Sequence, residues 1–290
     1  MRMRESLIVP LAFGLAMLFA LIFTISWVPH PVQIIVARVS VGPPGVVPHR
    51  TYGLRFTVRN RLSGHILPTM VPSQQRCVDV TIANQSLTYV DMTKACRTTP
   101  GTYGLDYAFP NAEDYIIYVE VHPAGGNEQV ERLWYPLDVC WLRRYQNWYG
   151  VCPRYPAQLR GLESQRSVSA GDVEVLLGAP PRAALVEQQV PITFIFLHDG
   201  KTIRDLEPVG GQPGRAVAIS ADTLHLTPLR PDPGQVVNGH VTGGTVTFTA
   251  WFGRPSIYRI VGDFRYHNKP LRVSFVVDVN PLPTPTPEGS

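Results

Sequence analysis

The residues of this 290-residue chain whose types could do chemistry are four cysteines, eight histidines and one dense cluster of rings and arginines. Cys77, Cys96, Cys140 and Cys152 form no C-x-x-C, which argues against a zinc knuckle or a thioredoxin-type motif. Three disulfide pairings are possible, and the local one, Cys77 with Cys96 and Cys140 with Cys152, is expected. Each bridge would close a loop of roughly 13 to 20 residues, for which chain entropy gives about 3 kcal/mol. Free buried thiols are the alternative reading. For His225 and His240, as for His65 and His267, a solvated or hydrogen-bonded histidine is one reading.

The ring cluster places Trp141, Tyr145, Trp148, Tyr149 and Tyr155 among Arg143, Arg144, Arg154 and Arg160. Aromatic faces alternating with guanidinium groups suit a partner surface, because those side chains dominate interface hot spots. Alternatively the rings wedge two folded units together under a Cys140–Cys152 staple. Enzyme signatures are missing from the sequence: it has no G-x-S-x-G, no H-E-x-x-H and no P-loop, and its acidic residues nominate no carboxylate pair. A non-enzymatic chain without a cofactor is therefore expected. The Asn84-Gln85-Ser86 sequon is a frequent chance match.

Those residues need a scaffold, and the chain carries one pattern twice. In residues 52–139 and 190–279, Leu54 and Phe56 match Ile192 and Phe194. Val80, Ile82 and Leu87 match Val217, Ile219 and Leu224. Gly101-Thr102, Leu105, Phe109, Tyr115 and Ile117 match Gly244-Thr245, Phe248, Phe252, Tyr258 and Ile260. Spacing that holds within segments and changes in loops is what two copies of one fold show. In Tyr52-Gly53-Leu54-Arg55-Phe56-Thr57-Val58-Arg59 the apolar residues alternate with polar ones, which predicts a half-buried antiparallel strand. Short strands, frequent turns and no long helical periodicity predict a β-sandwich of immunoglobulin type in each copy.

Composition agrees. Charged residues are only 17%, while 24 Gly and 28 Pro favour strands joined by turns. A net charge of +4 with no basic block gives no reason to expect nucleic acid. Arg2 and Arg4 precede an uncharged apolar run over residues 7–28, about 33 Å long as a helix and enough to cross a membrane. The flanking arginines predict that the rest lies outside the cell membrane. A cleaved signal peptide is the rival, and Trp27 and the lack of a small-x-small site favour an uncleaved anchor.

The run Phe196-Leu197-His198-Asp199-Gly200-Lys201-Thr202-Ile203-Arg204-Asp205-Leu206-Glu207-Pro208 carries a D-G-x-x-x-x-D-L-x-P turn. Continuing through Gly214 to Asp222, Gly244-Thr245 and Tyr258-Arg259, it resembles the YtkA-like family of exported bacterial immunoglobulin-like modules, often encoded with copper-handling proteins. The likeness covers most of 171–279, with a weaker echo in 52–139. It implies an extracytoplasmic β-sandwich and, as a second functional reading, metal handling in the cell envelope, for which His225, one residue from the family's histidine position, and His240 are the pair to weigh as copper ligands, since such a site needs two or more convergent imidazoles. Family members tend to carry His where this chain has Arg215, and His-x-His-Pro where it reads Leu226-Thr227-Pro228-Leu229.

The expected organisation is all-β. A cytoplasmic start and transmembrane anchor (1–29) precede a first sandwich (32–139), a stapled aromatic/Arg junction (140–170), a second sandwich (171–279) and a Pro/Thr tail (280–290). The expected role is that of a membrane-anchored binding or structural accessory module, with another envelope protein as partner and a diverged copper-handling protein as the alternative.

Overall fold

The computed structural model describes residues 34–37, 46–135, 167–178, 184–185 and 188–281. The apolar N-terminal run, the junction with Cys140 and Cys152 and the ring cluster from Trp141 to Tyr155, and the Pro/Thr tail lie outside them. Among the described residues no helix is long and apolar enough to cross a membrane, and the fold is all-β apart from one 3-10 turn at Pro72–Gln74.

One antiparallel sheet contains β1 (Ile34–Ala37), β2 (Thr51–Asn60), β3 (Cys77–Asn84), β4 (Val90–Thr99), β5 (Thr102–Ala108), β6 (Tyr115–Val121) and β7 (Gln129–Tyr135), in the order β1-β2-β5-β4-β3-β6-β7. The following strands are β8 (Ser167–Ala170), β9 (Val173–Gly178), β10 (Ala184–Leu185), β11 (Gln189–His198), β12 (Lys201–Thr202), β13 (Leu206–Glu207), β14 (Arg215–Ser220), β15 (Leu226–Pro231), β16 (Val236–Val237), β17 (His240–Val241), β18 (Thr245–Trp251), β19 (Ser256–Tyr266) and β20 (Lys269–Asn280). Of these, β16 and β17 form a separate hairpin. The rest build a second sheet with the path β10-β20-β19-β14-β15-β18-β11-β9-β8, while β12 and β13 pair with β11 and β19.

Alternation explains why these segments are strands and where they point. On β2, Tyr52, Leu54, Phe56 and Val58 are buried and enter one core with Val80, Ile82, Tyr103 and Ile117. On β11, Val190, Ile192, Phe194 and Phe196 do the same in a second core with Phe248, Phe264 and Phe275. Each sheet curls around its core until its outer strands approach, β1 beside β7 and β8 beside β20. The result is a β-sandwich on each side. Asp199 and Gly200, both with positive φ, close the β11–β12 hairpin as the two-residue turn that an Asp-Gly pair favours. Cys77 and Cys96 are direct partners on β3 and β4 and form the expected disulfide.

The two sheets share one strand order. The run β2-β5-β4-β3-β6-β7 in the first corresponds to β11-β18-β15-β14-β19-β20 in the second. Registers agree as well, since Leu54 pairs with Leu105 as Ile192 does with Phe248. Tyr115 donates its hydroxyl proton to the carbonyl of Asn111, four residues back, and Tyr258 does the same to Arg254. Gly101 and Gly244 also match for a physical reason. A Cβ there would lie 2.5 Å from the Leu67 carbonyl oxygen in one copy and 2.1 Å from that of Ile203 in the other. Only glycine admits that approach.

In one segment the structure shifts the sequence match by a residue. Ile82 pairs with Ile117, but Ile260, the counterpart of Ile117, pairs with Ala218 and not Ile219. Val80 and Ile82 therefore correspond to Ala216 and Ala218, which point into the second core, whereas Val217 and Ile219 face out of it. The turns confirm the shift. Leu87, at φ 55°, donates to Asn84 while Asn84 donates to Tyr89; Thr223, at φ 57°, donates to Ser220 while Ser220 donates to His225. The counterpart of Leu87 is thus Thr223. Alternating apolar residues on both faces of β14 made the slip invisible, because a one-residue shift exchanges faces without changing hydrophobicity.

Candidate binding cleft between the sheets

The outward faces of the two sandwiches pack against each other. All seven residues of β6 are buried. Tyr115, Ile117, Val119 and Val121 point into their own core, while Ile116 and Tyr118 join Ala83, Leu87, Val90 and Met92 in a separate cluster with Val217, Ile219 and Val261 of the second sheet. A strand buried on both faces reads as a continuous apolar run, and Tyr115-Ile116-Ile117-Tyr118-Val119 is one. Fully burying each such aliphatic side chain contributes about 1.5–3 kcal/mol.

Polar groups ring this apolar centre. Tyr118 donates to the carbonyl oxygen of Thr223 at 2.7 Å, and Arg259 donates to that of Leu87. Those carbonyls belong to the two matching turns, so each sheet reaches into the other's turn. Arg215 Nη2 lies 2.8 Å from Asp79 Oδ1, and its guanidinium also donates to the carbonyls of Met92 and Thr93. Arg272 spans Asp91 at 2.9 Å and Asp263 at 3.6 Å. At another edge Arg230 meets two carboxylates, Glu120 at 2.9 Å and Glu128.

Between these edges lies a cavity of about 180 Å³. Met92, Tyr118, Val217 and Leu226 contribute its apolar walls, and Asp79, Glu120, Arg215 and Arg230 bring charge to it. Glu120 is only 9% exposed. Burial pushes its carboxyl up to about 7, against the pull of Arg230 and with help from Glu128. The cavity can thus hold a carboxyl that gains or loses a proton near neutrality. Burial also raises the Tyr118 hydroxyl well above its ordinary value, so it remains a donor.

The two histidines weighed from sequence alone fall elsewhere. His225 closes the 220–225 turn, where its Nε2 lies 2.7 Å from Arg254 Nη1. A guanidinium only donates, so that nitrogen accepts and its lone pair is committed. Burial, followed by the Arg254 charge, pushes this imidazole below its usual range. His240 sits on β17, which packs on β13 beside Tyr266, while Ser220 of the His225 turn pairs with Tyr258. The stretch of β19 from Tyr258 to Tyr266 spans about 26 Å at about 3.3 Å per residue, so the structure does not bring the two histidines together. Among the described residues no group of three or more His, Cys, Asp or Glu is placed to hold a metal ion. Arg215, where the resembled family tends to carry His, is committed to Asp79. Asn84 of the sequon is buried, and its amide donates to Thr88 and Glu113.

Sequence reasoning missed the cleft. Its available signals were the apolar residues on both faces of β6 and β14 and the arginines Arg215, Arg259 and Arg272 alternating with apolar positions on single strands.

Residues 168–281 match a domain of unknown function (DUF8832), limits that coincide with the second sheet. No curated protein matches. Solved structures similar to this chain include trypsin-activated alpha-2-macroglobulin from Escherichia coli, at 10% identity and TM-score 0.22, covering 84% of this chain and 15% of that one. The elastase-activated protein from the same organism matches at 10% identity and TM-score 0.24, covering 86% and 20%. Salmonella alpha-2-macroglobulin reacted with methylamine matches at 11% and 0.20, covering 86% and 16%. The chain spans a fifth or less of those proteins, and at such TM-scores the likeness carries no argument about the fold.

Proposed function

We propose that this chain is a membrane-anchored, extracytoplasmic and non-enzymatic protein. In this reading two immunoglobulin-like sandwiches, docked on one another, serve as a binding or structural accessory module. The observation that carries it is the cleft itself: the faces of β3, β4 and β6 are spent on β14, β15 and β19 through an apolar patch bounded by ion pairs. In this reading the contact holds the two sandwiches together as a spacer or presenting module requires, since an apolar interface limits relative motion. The Cys77–Cys96 disulfide supports an oxidising compartment. The tyrosine hydroxyl bonds of Tyr115 and Tyr258 to backbone four residues upstream support the immunoglobulin-like reading. The likeness to YtkA-like modules belongs to this proposal and rests on the Asp199-Gly200 turn and the spacing after it.

The partner surface in this reading is the junction, with Trp141, Arg143, Arg144, Tyr145, Trp148 and Tyr149 as its contact residues. A test uses the anchored chain, with an alkaline phosphatase fused after Ser290, in a bacterial host. Phosphatase activity outside the cell membrane, and an envelope protein that crosslinks to wild type but not to Trp148→Ala, are the expected results. An inactive fusion overturns the compartment, and undiminished crosslinking by Trp148→Ala overturns the surface.

A further inference from the structure

We infer that the hairpin at residues 59–66, where β2 ends, rests on an anionic bilayer surface, with Leu62 entering the headgroup interface and Arg59 and Arg61 binding lipid phosphates. The inference rests on the proposed reading of residues 7–28 as an uncleaved anchor. The chain enters the first sandwich at β1, which runs antiparallel to β2 with Ile34 opposite Asn60. Only residues 29–33 separate Ile34 from the apolar run. Six Cα–Cα steps span about 20 Å at most, so the Asn60 end of β2 lies near the membrane. Arg59 and Ile66 pair across the hairpin, and its tip continues past Asn60 toward the side from which β1 arrives.

The hairpin is built to present an apolar tip between cations. Asn60 Oδ1 accepts from the amides of Leu62 and Ser63 at 2.9 and 3.0 Å, and Arg59 Nη1 donates to the Gly64 carbonyl at 3.0 Å. These bonds fix the turn from within and leave Leu62 79% exposed, more than any other large apolar side chain among the described residues. Ile66 is exposed beside it. A guanidinium carries five donors, so Arg59 keeps others for a phosphate. Arg61 is exposed and acts on the Glu131 carboxylate of β7, while the hairpin itself contains no acid.

The second sandwich supplies an internal comparison. The Leu67 amide donates to the Val58 carbonyl as the Ile203 amide does to Phe196, so residues 59–66 and 197–202 are equivalent connections. The second is shorter and reads Leu197-His198-Asp199-Gly200-Lys201-Thr202, in which Asp199 offsets Lys201 and Leu197 is half-buried. The fold therefore does not require an exposed leucine between arginines at this place. The copy beside the anchor has that tip, and the copy farther along the chain lacks it. Apolar insertion and attraction to anionic headgroups reinforce each other at such a tip.

Quenching by brominated lipid tests this on the full chain in phosphatidylcholine–phosphatidylglycerol vesicles. Leu62→Trp places a probe at the tip, and Val47→Trp places one at an exposed position beyond the opposite end of β2. With the wild-type signal subtracted, the tryptophan at 62 should be quenched and the one at 47 should not. Adding Arg61→Gln to Leu62→Trp should lower the ratio of quenched to unquenched probe about fivefold, and in phosphatidylcholine alone that change should disappear. A chain that floats with the vesicles while its probe at 62 is quenched no more than that at 47 overturns the contact and leaves the anchor standing. A chain that does not float overturns the anchor and the contact with it. Quenching at 62 that is indifferent to both Arg61→Gln and phosphatidylglycerol overturns the phosphate binding.

Discussion

Asp79 and Arg215 occupy the same position in the two sheets and are ion-paired with each other across the cleft at 2.8 Å. Asp79 pairs with Glu120 and Arg215 with Asp263, and both immediately precede matching core positions, Val80 and Ala216. Contact between equivalent positions is what two surfaces related by a two-fold make at their centre. In a pair of identical copies that contact would bring like charges together. Opposite signs let the two sandwiches dock on each other and disfavour either docking on its own kind.

The charge pair can be tested by exchange. Arg215→Asp should destabilise the chain by about 1–3 kcal/mol in urea unfolding, as should Asp79→Arg, and the double exchange should be less destabilised than the sum of the singles, short of full recovery because Lys94 and Asp263 then face like charges. If the double variant is as unstable as the sum of the singles, the two side chains do not act on each other.

Tyr118→Phe should cost about 1–3 kcal/mol, because it leaves the Thr223 carbonyl inside the contact without its donor. Thr223 is 4% exposed, so water does not replace the hydroxyl freely. Increased hydrogen exchange in the 220–225 turn would locate the effect, and unchanged exchange there would refute the assignment.

Gly244→Ala should cost about 3 kcal/mol, since the new methyl would lie 2.1 Å from the Ile203 carbonyl oxygen. Gly101→Ala should be at least as damaging, because it adds a φ of +71° to the same collision. Thermal unfolding of both variants checks the ranking, and an alanine tolerated at either site contradicts the loop geometry.

Reduction, or the pair Cys77→Ser with Cys96→Ser, should lower stability by about 2–4 kcal/mol. Because the bridge spans adjacent strands of the first sheet, the loss should fall on that sheet's unfolding. A urea curve unmoved by reductant would mean that the bridge contributes nothing to the folded chain.

Sequence and structure agree where one physical rule acts alone. Alternation placed Tyr52, Leu54, Phe56 and Val58 on one face of β2, because a half-buried strand must present its apolar residues at every second position. The Gly-Thr pairs at 101–102 and 244–245 matched because a backbone approach excludes any Cβ. The local Cys77–Cys96 pairing followed from the short loop between two strand segments. His225 was singled out by its closeness to the resembled family's histidine position, and in the folded chain its Nε2 is taken by Arg254.

What the chain could not show by itself is which surface each outward face would meet. Ile116, Tyr118, Val217 and Ile219 are as apolar as core residues, and periodicity cannot tell a second core from a docking face. That choice depends on contacts between residues more than a hundred positions apart, such as Tyr118 with Thr223 and Arg230 with Glu120. Local patterning determined the strands, the turns and the repeat. Only tertiary packing could turn two outward faces into one interior, and in doing so give Glu120 its buried position beside Arg230.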